Sequence, residues 1–269
     1  MKFLVDHHTV TSIINKLRSA GCVFAEEEAR LLVTEGQSLD GLLQKVDMRV
    51  EGIPLEYVIG WAPFCGLRIV VERGVFVPRK RTEFLVRQAE DLGCSGDIVV
   101  DLCCGSGAIG AALAAAMGDI MLYGSDIDLI AIRCARKNVT PFGGHIFEGD
   151  LYKALPRWMK GRINILVANV PYVPTKAIEL LPVEARLYEP HLALDGGEDG
   201  LNILRRVVKE APDWLAPGGH LLIETSEMQA PRTFEIFAHS GLATKVVRDA
   251  ERDATVVIGT NSGDSPPAL

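Results

Sequence analysis

Ile98-Val99-Val100-Asp101-Leu102-Cys103-Cys104-Gly105-Ser106-Gly107-Ala108-Ile109-Gly110 decides the fold of this chain. Its opening residues form a short β-branched run, which reads as a buried strand. Glycines at 105 and 107 let the backbone turn sharply and come close to a ligand, and a helix opening near Ala108 presents unpaired N–H groups there. Strand, glycine loop and helix in that order begin a ligand-binding α/β unit.

Working outward, strands are expected at Ile120–Ser125, His145–Glu148, Ile163–Ala168 and Gly219–Thr225, with helices at Ala108–Met117, Asp128–Asn138 and Asp199–Leu215. Such alternation specifies a parallel sheet covered on both faces. Ala243–Arg248 and Thr255–Thr260 are separated only by a turn and make an antiparallel edge. Upstream, residues 1–52 hold three short amphipathic helices, the first with Val10, Ile13, Ile14 and Leu17 at helical spacing, Thr9 as its cap and Gly21 as its end. Helices this short bury little alone, so they form a small recognition module against a larger domain. Residues 53–76, where Gly and Pro punctuate β-branched runs, read as a hairpin linker, followed by a helix from Thr82 to Leu92. The main domain is then 77–260, and the Gly/Ser/Pro-rich 261–269 is a disordered tail.

Composition narrows the partners. Lys and Arg number 28 against 35 Asp and Glu, and a net charge of −7 repels polyphosphate, so direct binding to nucleic acid is not expected. The densest basic cluster, Arg79-Lys80-Arg81, is a weak footprint. The 6 cysteines form no CxxC pair and have no histidine at ligand spacing, so free thiols are expected and a metal is not. With no basic-then-apolar leader and no membrane-length apolar run, the expectation is a cytoplasmic monomer.

Three carboxylates follow three successive strands. Asp101 can meet a ligand ammonium or the loop's own N–H groups, Asp126 can accept two ribose hydroxyls, and Asp150 can accept an adenine amine. Gly105, Gly107 and Gly110 match the dinucleotide spacing, which alone does not separate a nicotinamide cofactor from S-adenosylmethionine. Acids at three strand ends favour the cationic, phosphate-free ligand, although Asp also caps helices. Beyond the run Ile163–Ala168 lies Asn169-Val170-Pro171-Tyr172. The Asn169 side-chain carbonyl and the Val170 backbone carbonyl can each accept one N–H of a planar amino group, while the Tyr172 ring lies against its plane. The long stretch 175–200 carries too little periodicity for a domain and is a candidate lid or acceptor surface.

With these residues placed, the chain resembles the protein-(glutamine-N5) methyltransferases that modify peptide chain release factors. The markers are Pro54 to Gly60, Phe64-Cys65-Gly66, Val77-Pro78-Arg79 with Thr82-Glu83, Asp101 to Gly110, Asn169 to Tyr172, Tyr188-Glu189-Pro190, Gly196-Gly197, Asp199-Gly200, and Glu224 with Gln229. The resemblance implies a seven-stranded class I, Rossmann-like methyltransferase sheet with a helical N-terminus. It implies S-adenosylmethionine on Asp101, Cys103, Cys104, Gly105, Ser106, Gly107, Asp126, Ile127, Asp150, Leu151 and Asn169, and a protein glutamine held by Asn169, Val170, Pro171 and Tyr172. The chain departs from the family pattern at Lys80-Arg81, Cys103-Cys104, Leu151, Val170 and Ser226, all near substrate or cofactor. A paralogue with another acceptor, such as a small amine, and a binding protein without turnover are the alternative readings.

Overall fold

The computed structural model describes residues 5–263. The chain opens with α1 (His7–Ser19), α2 (Ala25–Thr34) and α3 (Leu39–Val50). Asp6, not Thr9, caps α1, its carboxylate accepting the Thr9 backbone N–H at 2.9 Å. The helices do not keep a core of their own. Leu17, Leu32, Leu42 and Val46 join Tyr57, Phe64, Leu85 and Leu113 in one continuous cluster. The buried Arg49 Nε donates to Glu28 at 2.6 Å, and Arg49 Nη1 reaches Glu184 at 2.7 Å, tying this module to the 175–200 stretch.

The 53–76 linker is only partly a hairpin. Residues Leu55–Ile59 form one helical turn, α4, between Pro54 at its start and Gly60, which closes it in the left-handed conformation at φ 85°. Strand-forming Tyr57, Val58 and Ile59 are overridden there by packing, since the Tyr57 hydroxyl donates to the Val75 carbonyl inside the protein at 2.7 Å. The antiparallel pair is confined to β1 (Trp61–Phe64) and β2 (Leu67–Val70). After it comes α5 (Glu83–Glu90).

Seven strands then build the main sheet: β3 (Ile98–Leu102), β4 (Met121–Asp126), β5 (His145–Glu148), β6 (Ile163–Ala168), β7 (Leu215–Thr225), β8 (Ala243–Asp249) and β9 (Ala254–Thr260). Their order is β5-β4-β3-β6-β7-β9-β8, and β9 alone runs against its neighbours. Alternation along each strand divides the core. Val99, Ile165, Val167 and Leu222 face the cluster that holds α5, α6 (Ala108–Met117) and α7 (Leu129–Val139). Val100, Leu102, Leu166, Ala168 and Leu221 face the other, with α10 (Asn202–Trp214) and α11 (Ala230–His239). The sequence reading did not include α11. The stretch 175–200 is built from a 3-10 turn at Thr175–Leu180 and the short helices α8 (Val183–Tyr188) and α9 (His191–Leu194). Residues 264–269 of the expected tail lie outside the described range, whereas Asn261 is fastened, its Nδ2 donating to Leu215 O at 3.0 Å.

Connections leave β3 toward β4 on one side and come back to β6 on its other side, so a crevice opens at the carboxyl ends of β3, β4 and β6. No described helix is long and apolar enough to cross a membrane.

Candidate active site

The crevice is a cavity of ≈ 740 Å³ that spans both halves of the expected site. Its first wall is the loop after β3. Gly105 lines it at φ +55°, where an added Cβ would meet nothing within 4 Å. Gly107 is required for a different reason: a Cβ there would sit 2.8 Å from Val139 and 3.1 Å from Ala135, so this glycine lets α6 close on α7 behind the wall. Cys103, Cys104 and Ser106 line the cavity. Burial pushes both thiols up, so they present neutral S–H groups. Cys103 adopts φ 56°, a left-handed conformation that costs a non-glycine residue about 1–2 kcal/mol. Leu151 is held similarly at φ 51°, and both contribute to the wall.

The three carboxylates are not equivalent. Asp101 is fully buried behind the wall, its Oδ2 accepting from Gly110 N at 3.0 Å and its Oδ1 without a partner among the described residues. Burial raises its pKa to about 7. Asp126 lines the cavity and holds the loop, with Oδ2 accepting from Gly105 N at 2.8 Å and Oδ1 from Asp128 N at 2.9 Å. Burial raises its pKa too, against those two hydrogen bonds. Asp150 also lines the cavity but is gripped by Arg206, whose Nη2 lies 2.6 and 2.7 Å from the two oxygens, and by Lys153 at 3.1 Å. The Arg206 hydrogen bonds hold its pKa below the usual carboxylate value. Arg206 comes from α10, and nothing in the local sequence pointed to it. Ile127 completes this half.

The second half is Asn169 to Tyr172, which follows β6 and lines the same cavity. Asn169 Nδ2 donates to Thr82 Oγ1 at 3.4 Å, which leaves Oδ1 as the free end of the amide. Val170 is buried, and no donor among the described residues engages its carbonyl. The Tyr172 carbonyl accepts from Gln229 Nε2 at 3.0 Å, and its hydroxyl accepts from Arg81. Gly200 must be a glycine, since its Cβ would lie 2.5 Å from Gln229 Nε2 and closer still to the Tyr172 carbonyl. The cavity therefore brings together Cys103 to Ser106, Asp126, Ile127, Asp150, Leu151 and Asn169 to Tyr172, and leaves Asp101 and Gly107 behind it.

Two cations of the Arg79-Lys80-Arg81 cluster also line it. Arg79 pairs with the buried Glu189 at 2.5 Å and Arg81 with the buried Glu224 at 3.3 Å, so these two arginines of the basic cluster are spent on internal partners. From the 175–200 stretch come Leu181, Pro182, Leu192 and Leu194, an apolar lip to the same cavity. Among the described residues no His, Cys, Asp or Glu group is arranged to hold a metal.

Comparisons with known proteins find methyltransferases. A family model described as "Methyltransferase small domain" matches residues 66–197. A release factor glutamine methyltransferase of Geobacter sulfurreducens is 38% identical over 198 residues, covering 73% of this chain and 69% of the relative. A 4-amino-L-phenylalanine/4-methylamino-L-phenylalanine methyltransferase of Streptomyces pristinaespiralis is 34% identical over 235 residues, covering 83% and 78%. Among solved structures, a methyltransferase from Pyrococcus furiosus superposes with a TM-score of 0.56 at 16% identity, covering 73% of this chain and 89% of that one, a likeness of fold.

Proposed function

The chain belongs to the release factor glutamine methyltransferase family, and from that premise we propose that it transfers a methyl group from S-adenosylmethionine to the side-chain amide of a glutamine in a peptide chain release factor. One observation carries the reading: the acid-and-glycine wall after β3 and β4 and the amide-holding turn after β6 line a single cavity.

The residues suit the cofactor. Asp126 keeps a free lone pair on each oxygen for a pair of hydroxyls, Gly105 leaves its surroundings uncrowded, and Ile127 and Leu151 offer apolar flanks to a flat base. The unpaired Asp101 oxygen suits a cationic ligand nearby. Cys103 to Ser106, Asp126, Ile127, Asp150 and Leu151 would hold it, with Asp101 and Gly107 in support. When bound, it supplies an electrophilic methyl group on a positively charged sulfur.

An amide nitrogen is a poor nucleophile, because resonance ties up its lone pair. Asn169 Oδ1 and the Val170 carbonyl would accept its two N–H groups and draw electron density onto nitrogen; neither can keep a proton, so the one lost once the methyl group has moved passes to bulk water as the product leaves. The Tyr172 ring fixes the amide plane. Orientation of this kind contributes on the order of 7–11 kcal/mol without a general base. The apolar lip keeps water from the reacting nitrogen.

The test is mass spectrometry of a full-length release factor incubated with enzyme and S-adenosylmethionine, with one added methyl group on one glutamine as the expected result. The Streptomyces pristinaespiralis relative favours a second reading, a small aromatic amine as acceptor. Methylation of 4-amino-L-phenylalanine with an untouched release factor would select it.

A further inference from the structure

Between the segment 79–82 and the end of β7, three side chains stand behind both acceptor-holding residues. Thr82 is 3% exposed, and its hydroxyl takes the Asn169 Nδ2 hydrogen at 3.4 Å. Arg81 donates from Nη2 to the Tyr172 hydroxyl and sets its guanidinium carbon 5.8 Å from the ring centroid. Behind them, Glu224 is 2% exposed; its Oε1 accepts from Arg81 Nε at 3.3 Å, its Oε2 has no hydrogen-bond partner among the described residues, and the Thr82 side chain lies close enough to lower its pKa. Burial raises its pKa and the Arg81 pair opposes that rise, so the charged carboxylate and the Arg81 side chain hold each other in place.

The geometry settles two freedoms that the acceptor half would otherwise retain. A carboxamide can turn end for end at little cost, and a hydroxyl can serve either end; with the Thr82 proton drawn toward the Glu224 carboxylate, its oxygen accepts from Nδ2 and the Asn169 oxygen is the end left over. A tyrosine ring anchored only at its backbone can swing, and the Arg81 tether removes that motion. We propose that Arg81 and Thr82, backed by Glu224, are positioning residues for the acceptor: Thr82 sets which end of the Asn169 amide meets it, and Arg81 sets the Tyr172 ring. This rests on the acceptor site being at Asn169 to Tyr172, as argued above.

Steady-state methylation of the full-length release factor by the full-length enzyme tests it, together with cofactor titration on each variant. Thr82→Val removes the hydroxyl at constant shape, and Thr82→Ser restores it. The Val variant lowers kcat at least about tenfold with cofactor affinity unchanged, and the Ser variant returns to within about twofold of wild type. Arg81→Met lowers kcat in the wild-type background and has no further effect when Tyr172 is Phe, because it acts through the phenol oxygen. If Arg81→Met costs as much in the Tyr172→Phe background, Arg81 acts independently of the ring and the positioning role is overturned. A Thr82→Val enzyme with wild-type kcat overturns it as well. Asn169→Ala separates the two levels: wild-type turnover there refutes the acceptor site itself, whereas a slow Asn169→Ala enzyme beside a fast Thr82→Val enzyme refutes only the positioning role.

Discussion

Asp126→Asn separates a loop fastener from a ligand contact in one substitution. The wild-type carboxylate faces two backbone donors, Gly105 N at 2.8 Å and Asp128 N at 2.9 Å, one on each oxygen. An asparagine offers one oxygen and one NH2, so in either orientation one donor faces another donor. An unsatisfied donor in this place costs about 1–3 kcal/mol, and in a protein of this size each kcal/mol lowers Tm by about 2–4 °C. If the same oxygens hold the cofactor hydroxyls, losing the charged acceptor removes a further ~1.5–3 kcal/mol of binding, which weakens Kd about 10- to 150-fold. Calorimetric titration with S-adenosylmethionine and a thermal melt on the same preparation read the two effects independently. A variant with lowered Tm and a Kd within about threefold of wild type would refute the binding role and leave Asp126 as a fastener of the 103–107 loop.

Three other outcomes follow from the geometry. Asp101 has a folded pKa of about 7, above its unfolded value, so ionisation disfavours the fold, and the stability of the wild type relative to Asp101→Asn falls by about 1.4 kcal/mol per pH unit between ~4 and ~7; parallel pH profiles in urea would contradict this. Gly200→Ala pushes on the Tyr172 carbonyl and Gln229, so kcat falls by more than cofactor affinity in paired kinetic and binding assays. Arg49→Met leaves the buried Glu28 without its partner and costs about 3–5 kcal/mol by chemical denaturation, whereas Glu184→Gln at the half-exposed end of the same arginine costs under ~1 kcal/mol.

The parts of the fold that were legible in sequence are those set by local pattern. The run Ile98–Leu102 and the helix Ala108–Met117 appear where the β-branched run and the glycine loop put them, because both are buried and their apolar residues serve no other purpose. The turn at Leu55–Ile59 was not legible, since β-branched and aromatic residues there bend to the Tyr57–Val75 contact that only the tertiary fold supplies. The helix Ala230–His239 buries only Ala230, Thr233 and Phe237, too thin a stripe to stand out beside Pro231. The chemistry of Asn169 to Tyr172 suggested an amide-holding turn, whereas the contacts that Thr82 and Arg81 make with it, across more than 80 residues of chain, come only from folding.

Charge shows most clearly what distance along the chain conceals. In sequence, Asp101, Asp126 and Asp150 are three acids after three strands, equal in their claim on a cationic ligand. In the fold Asp150 is neutralised by Arg206 and Lys153, so it offers orientation and hydrogen-bond acceptors but little net field. Asp101, raised to about 7, is only partly ionised near neutrality and stands behind the wall. Asp126 has no cationic partner among the described residues and is held by backbone N–H groups alone. Of the three acids, Asp126 is therefore the one that faces the cavity without a cation beside it, and a positively charged ligand gains more from it than from the other two. The discrimination against pyrophosphate first assigned to three acids rests on Asp126, because Arg206 would by itself welcome a phosphate.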